Sequence, residues 1–425
     1  MHAIEIEAEQ RILLLDGAMG TMIQQLGLAE ADFRNSSLSD HPIELKGNND
    51  LLNLTRPDVI KDIHVQYLNA GADILSTNTF GANGISQADY EAEHLVYEIN
   101  YQGAKLAKDA VLEFQRSNNV KPLFVAGAMG PTTKLTSLSP DVNNPGFRAV
   151  DFDQLENAYT EQANALIEGG VDLFLLETIT DTLNAKAALF ALMTIFEKIG
   201  QKYPIMVSGT ITDASGRILS GQTVEAFIIS ISHAPILSIG LNCALGAKEL
   251  RPYIEVLDRE SPFMVSTHPN AGLPNQFGEY DQSAEEFAAL VGEFAGNGWL
   301  NIVGGCCGTT PHHIAAAAKA IKTIPPRKKP GIDNRMIKTV TNSKAVTVVD
   351  QWTNAIAASK PTFSLSELMT IVSQVEDETT LGKVKVKFDA EKRLYHSEQA
   401  MLLNAHIFGR YNYLRAKNKI AGISA

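Results

Sequence analysis

The stretch Leu173-Phe174-Leu175-Leu176, its polar exit Glu177-Thr178 and the following run Thr182–Ile199 form the unit from which the fold is read. Four consecutive apolar residues bounded by polar ones match a buried strand, and the run after them carries apolar residues at spacings of three and four, the helical period. The unit recurs in both directions. Upstream lie Ile12–Leu15, Ile74–Ser76 and Leu123–Ala126; downstream lie Ile205–Val207 extended through Gly209, Ile236–Leu241, Phe263–Val265 and Ile302–Val303. Helical stretches alternate with them at Val59–Asn69, Glu91–Phe114, Phe152–Glu168, Val224–Ser232, Ala247–Leu257, Ala284–Gly296 and Ile314–Ile324. Eight repeats of strand and helix predict an α/β chain folded as a (β/α)8 TIM barrel. A doubly wound open sheet is the alternative, because a sequence does not show closure.

With 425 residues the chain is longer than one such barrel requires. The run Pro325-Pro326-Arg327-Lys328-Lys329-Pro330-Gly331 breaks the pattern, since proline lacks a backbone donor and disfavours helix in its neighbour. The expected organisation is a barrel over 1–325, a linker over 326–348 and a small C-terminal helical appendage over 349–425. Within the appendage, helices are expected near Val349–Ser359, Leu365–Glu378 with a Ser364/Glu367 capping box, and Asp389–Ile420 with Leu394, Met401, Ala405 and Phe408 on one side. Hydrophobic content of 45% and charged content of 20% fit a globular chain with a sizeable core. No apolar run is long enough to span a bilayer, and the acidic N-terminus has no signal-peptide pattern, so a cytoplasmic protein without a membrane partner is expected. A formal charge of -12 argues against nucleic-acid binding, which needs Lys and Arg to neutralise phosphates.

In a barrel, chemistry sits where the strands exit at their C-terminal ends. All three cysteines, Cys243, Cys306 and Cys307, fall at such exits, in Asn242-Cys243 and in Gly304-Gly305-Cys306-Cys307-Gly308. The sixth and eighth strands are next-but-one neighbours around a small barrel, so Cys243 can approach the pair across the mouth. The glycines are expected to free the backbone to turn both adjacent thiols toward one ion. Three thiolates suit zinc, and three ligands with one open position describe a catalytic site. A structural zinc, a redox pair or three inert core thiols remain alternatives at this point. His268, His312 and His313 also lie near the rim; a thiol deprotonated by a metal needs no general base, so all three are read as structural, with His312 and His313 as solvated first-turn residues.

Several stretches carry a family resemblance. They are Leu15-Asp16-Gly17-Ala18-Met19-Gly20-Thr21, Thr77-Asn78-Thr79-Phe80, the run from Gly130-Pro131 through Ser139-Pro140-Asp141-Val142, Glu177-Thr178 with Asp181-Thr182-Leu183-Asn184-Ala185-Lys186, Gly240–Gly246, and Gly304–Pro311. With these the chain resembles the homocysteine S-methyltransferases, and most closely the homocysteine-binding module that opens cobalamin-dependent methionine synthase. The resemblance covers about residues 10 to 325. It implies an enzyme that methylates homocysteine to methionine, with Cys243, Cys306 and Cys307 as zinc ligands and the homocysteine sulfur completing the coordination. It places the amino-acid part of the substrate at Asp16 with Gly17 and at Glu177, with Ser76 and Thr77 as further candidates. A carboxylate can pair with the substrate ammonium, and backbone N–H groups around Gly17 can hold its carboxylate.

The methyl donor is the open half. Cobalamin modules of the full enzyme carry Asp-x-His-x-x-Gly; the nearest run, Asp62-Ile63-His64-Val65-Gln66-Tyr67, lacks the glycine and reads as helix, so no cobalamin-binding module is expected in this chain. The favoured expectation is methylcobalamin presented by a corrinoid protein, a separate cobalamin- or folate-binding subunit. Direct use of S-methylmethionine or betaine is the alternative. From another class, a non-catalytic sensor that binds zinc and homocysteine would share every motif.

Overall fold

A computed structural model describes residues 2–328 except 119, 120, 214 and 277, together with positions 369, 372, 373, 375, 381, 403, 407, 409 and 410. Its centre is a ring of eight parallel strands: β1 (Leu13–Leu14), β2 (Ile74–Ser76), β3 (Phe124–Met129), β4 (Leu173–Ile179), β5 (Ile205–Gly209), β6 (Ser238–Gly246), β7 (Met264–Asn270) and β8 (Ile302–Val303). They are hydrogen-bonded in the order β1-β8-β7-β6-β5-β4-β3-β2, and a parallel bridge from Leu15 to Ile74 joins β1 to β2. The sheet therefore closes into the expected (β/α)8 barrel rather than the open alternative.

Strand starts follow the apolar runs, whereas the ends of β3, β4, β6 and β7 run further than polarity suggests. Glu177-Thr178 and Asn242-Cys243 lie inside β4 and β6, not beyond them. Glu177, Thr178 and Cys243 line a cavity and Asn242 is bonded to neighbouring strands, so the backbone keeps its ladder past the first polar side chain. The helix expected over Glu91–Phe114 begins at Val96, because Glu91 is left-handed (φ 50°) and a 3-10 turn precedes it. The last barrel helix spans Pro311–Ile321, three residues early at each end, with proline in its first turn as its fixed φ favours.

The helix Thr182–Ile199 shows why the chain folds as read. Asp181 caps it by accepting from Leu183 N at 2.8 Å, and Gly200 ends it in the left-handed region at φ 68°. The same carboxylate accepts from Ser137 N and Oγ at 2.8 and 2.7 Å, and Asn184 Oδ1 accepts from Thr136 N and Oγ1 at 3.0 and 2.7 Å. The long loop after β3 is thereby pinned to the start of this helix at the mouth.

The floor is sealed by a helix that the sequence reading did not assign, Ala3–Gln10, whose Ile4 and Ala8 pack beneath Leu13, Phe124, Leu173 and Met206. Asp73, buried at the same end, accepts from Leu14 N at 2.7 Å and pairs with Arg11 and Lys121 at 2.9 and 2.5 Å. Arg327 is also tied to this side, with its guanidinium 2.7 Å from Asp258 and on the carbonyls of Phe263, Asp258 and Ser261. Farther along, Ser373 Oγ donates to the Ser232 carbonyl at 2.8 Å and Arg410 to the His233 carbonyl at 3.2 Å. Met369, Val372, Leu403 and Ile407 are buried in the same apolar cluster as the barrel's helices. The expected helix Val349–Ser359, and most of Leu365–Glu378 and Asp389–Ile420, lie outside the described residues.

His64, on the helix Pro57–Asn69, is fully buried with neither ring nitrogen bonded among the described residues, and burial lowers its pKa to about 4. Below the unfolded value near 6.5 the unfolded chain takes up a proton that the folded chain refuses, so stability falls as pH drops from about 6.5 to 4. His64→Leu is expected to flatten this acid-side decline in a melting-temperature series between pH 4.5 and 7.5. A parallel decline in both proteins would refute it.

Candidate metal and substrate site

The C-terminal strand ends open into a cavity of about 990 Å³, near the top of the usual ligand-pocket range of about 300–1,000 Å³. On one wall lie Cys243, Cys306 and Cys307, their sulfurs all within 4.8 Å of one another and Cys243 Sγ 3.7 Å from Cys307 Sγ. Tetrahedral zinc–sulfur bonds of about 2.3 Å place ligand sulfurs about 3.8 Å apart, so the trio has the spacing of a three-thiolate face. Among the described residues it is the one cluster of its kind.

The backbone brings the sulfurs together differently from expectation. Of the three glycines around the pair, only Gly308 is left-handed (φ 80°). Gly304 and Gly305 are there for lack of room: an added Cβ would lie 2.8 Å from Leu15 Cβ and 2.4 Å from Thr309 Oγ1, respectively. Cys243 and Ala244 themselves supply the other turn, at φ 61° and 55°, where the β6–β7 register shifts. Non-glycine residues occupy that region seldom and at a cost, which marks the bend as built for the thiol.

The thiols titrate together. Hydrogen bonds from Cys243 and Cys306 hold the Cys307 sulfur down to about 3 against its burial, with Tyr280 adding another bond, while contact with Cys243 pushes Cys306 well up. Negative charge on one sulfur is favoured by its two neighbours, and a bound cation would favour the thiolate form of all three.

The same cavity is lined by two carboxylates. Asp16 accepts from Ser76 N and Ser76 Oγ, both at 2.8 Å, and burial with the nearby Glu177 raises it to about 8 against those bonds. Glu177 is raised to about 7 by burial and then by the Cys307 charge, and its carboxylate has no hydrogen bond among the described residues. Asp16, Gly17, Ser76, Thr77 and Glu177 all line the cavity. The Gly17 N–H is unbonded among the described residues, and an added Cβ there would meet Thr309 Oγ1 and Tyr67 at 2.9 Å. Ser76 serves Asp16. Thr77 Oγ1 is committed to the barrel wall, accepting from Ala128 N at 2.9 Å beside Thr79 Oγ1.

Sequence reasoning missed several residues here. Asp50 lines the cavity, bonded only to Gly81 N and raised to about 7 by burial. His268, placed near the rim and read as structural from the sequence, lines it as well, buried with Nε2 unpartnered among the described residues and lowered to about 4 by desolvation. Asn270 Oδ1, at the end of β7, is likewise unpartnered among the described residues, and Asn242 is fully buried near the end of β6. No spacing rule flags these, since their neighbours come from other strands.

The two adjacent histidines part company. His312 is exposed, as expected, but His313 is not solvated: its Nδ1 caps Thr310 at 3.2 Å from the backbone N and 3.0 Å from Oγ1, and Nε2 lies 2.9 Å from the Gln282 carbonyl. The third position of the helix faces back over its own cap, which buries the ring. We expect His312→Ala to leave metal content and turnover near wild type, and His313→Ala to cost about 1 kcal/mol of stability in denaturant titrations.

A family model described as homocysteine S-methyltransferase matches residues 13–321, the span from β1 to the end of the last barrel helix. Crystal structures of the homocysteine methyltransferase MmuM from Escherichia coli share the fold. The metallated form is 22% identical, with a TM-score of 0.56 over 73% of this chain and 96% of that one. The oxidized form is also 22% identical, with a TM-score of 0.57 over the same shares.

Proposed function

We propose, because this chain belongs to the homocysteine S-methyltransferase family, that Cys243, Cys306 and Cys307 hold a zinc ion at which homocysteine is methylated to methionine. The observation that carries the reading is the presence, in one cavity, of three convergent thiols and the carboxylate of Glu177, which is unbonded among the described residues. The chain is an enzyme of methyl transfer to homocysteine; the metal, the donor and the residue roles are the parts proposed.

Asp16 and Glu177 take the substrate ammonium between them, which relieves the repulsion and burial that raise both carboxyls. The Gly17 N–H, without a partner among the described residues, faces the substrate carboxylate. With both ends of the amino-acid moiety held, the side-chain thiol is directed toward the cysteines, an ordering that lowers the entropic part of the barrier. Zinc, when bound, acidifies the substrate thiol and keeps it a nucleophile at neutral pH. The cysteine sulfurs are its anionic ligands, and Tyr280 bonds one of them.

For the donor, the wide mouth favours methylcobalamin delivered on a separate corrinoid protein. Phe80, Val142, Phe147, Leu219 and Leu273 are exposed on the loops around it, an apolar rim suited to protein docking. A second reading has its own support: Asp16, Asp50, Glu177 and Glu279 line the cavity, and none of its described lining residues is Lys or Arg. Such a cavity attracts a cationic donor such as S-methylmethionine or betaine.

Zinc-loaded protein assayed for methionine with homocysteine and, in parallel, methylcobalamin, S-methylmethionine and betaine tests the proposal. Turnover with methylcobalamin supports the first reading, and turnover with only an onium donor supports the second. Stoichiometric zinc without turnover in any arm replaces both with a zinc- and homocysteine-binding sensor.

A further inference from the structure

Asn242 is fully buried near the end of β6, immediately before Cys243. Its carboxamide uses every hydrogen-bonding position it has. Oδ1 accepts from Thr178 N at 3.0 Å and Ser208 Oγ at 2.7 Å; Nδ2 donates to Thr178 Oγ1 at 2.8 Å and to Cys306 Sγ at 3.8 Å. The orientation is forced, because the Thr178 N–H can only donate and must meet the oxygen. The N–H face is therefore the one turned to Cys306, whose sulfur is met as an acceptor, the role of a metal-bound thiolate. The backbone is held as well, with Thr210 Oγ1 donating to the Asn242 carbonyl at 2.9 Å.

Thr178 explains why so much is invested in one amide. It has φ 57°, a left-handed conformation that is an outlier for a β-branched residue and needs outside support. Asn242 supplies it by gripping both the N–H and the hydroxyl. That twist sits directly after Glu177, so it sets the direction of the peptide that carries the free carboxylate. The same side chain thus touches the residue that orients substrate recognition and one of the three sulfurs, each 64 residues from it in sequence.

We infer that Asn242 is a positioning residue that locks amino-acid recognition at Glu177 to the geometry of the thiol site, an inference that rests on the function proposed above. Second-layer groups that orient metal ligands typically alter metal affinity by about 10–100-fold when changed. Asn242→Asp preserves shape and the acceptor contacts to Thr178 N and Ser208, but replaces both N–H donors with an oxygen. Thr178→Val removes only the hydroxyl arm on the recognition side.

The test measures zinc affinity by chelator competition, the absorption spectrum of the cobalt(II)-substituted protein, and KM and kcat for homocysteine. Asn242→Asp is expected to weaken zinc about 10–100-fold, to shift the thiolate-to-cobalt band and to raise KM. Thr178→Val is expected to raise KM with zinc affinity and the cobalt spectrum unchanged. Leu189→Ala, a cavity in the fully buried face of the helix Thr182–Ile199, provides a destabilised control that leaves metal and KM alone. Wild-type zinc affinity and cobalt spectrum in Asn242→Asp would overturn the inference, as would changes no larger than those in Leu189→Ala. Wild-type protein that binds zinc yet turns over no donor would sink the proposed function instead, while the metal measurements on Asn242→Asp would still decide the positioning role.

Discussion

Cys306→Ala is expected to strip the protein of zinc and to lower methyl transfer by on the order of 10³-fold. Two thiols remain, and they cannot close a three-ligand site around the ion. Removal of this sulfur also leaves the Asn242 Nδ2 donor, now 3.8 Å from it, facing a void in a fully buried setting. Without the metal, homocysteine must ionise unaided, and a free thiol with a pKa near 8.5 is only a few per cent thiolate at pH 7. Residual activity in the variant should therefore climb with pH through about 8.5, whereas wild-type activity should be flatter over that interval. The stabilisation that added zinc gives the wild type, read as a rise in melting temperature, should vanish with it. Metal analysis showing near-stoichiometric zinc in Cys306→Ala would remove this sulfur from the ligand set.

The second large effect has opposite signs in binding and stability. Glu177→Gln should raise KM for homocysteine about 10–100-fold, since a charge-assisted bond to an ammonium is worth about 1.5–3 kcal/mol. The same change should stabilise the unliganded fold. Glu177 makes no hydrogen bond among the described residues, and its pKa is raised from 4.5 to about 7 by burial and by the Cys307 charge. An acid with a raised folded pKa holds its proton longer when folded, so its contribution is most favourable below about 4.5 and is lost as pH rises toward 7. The glutamine carries no charge to bury at neutral pH. We expect its melting temperature at pH 7.5 to exceed wild type by about 2–4 °C, and the gap to narrow by pH 5. Equal KM values would show that Glu177 does not meet the substrate. A lower melting temperature at pH 7.5 would show that it is part of the scaffold.

The contrast between Glu177 and Thr77 shows what a motif can and cannot tell. Both lie at strand ends in stretches that carry the family resemblance, and both line the cavity. Glu177 has no hydrogen-bond partner among the described residues, whereas the Thr77 hydroxyl is occupied by Ala128 N and Thr79. Hydrogen-bond partners arrive from neighbouring strands tens of residues away, so sequence spacing does not report which polar group is spare. His313 is a similar case: its position after Pro311 reads as solvated, and only the helix's own cap and the Gln282 carbonyl make it a buried structural group.

Sequence alone determined the alternation of strand and helix, and with it the placement of all three cysteines at one end of the barrel. Apolar runs and helical periodicity are local properties, and each βα unit states its own direction. The tertiary structure decided the rest. Closure depends on Leu15 meeting Ile74, a contact between the first and second strands that no local pattern encodes. Convergence of Cys243 on Cys307 at 3.7 Å depends on the left-handed bend at Cys243-Ala244 and on the register between β6 and β7. Asn242, unremarkable in its own stretch, becomes the link between Glu177 and the thiols only when the closed ring brings the ends of β4, β6 and β8, next-but-one neighbours, to one mouth, because a side chain's role is set by the neighbours that the ring brings to it.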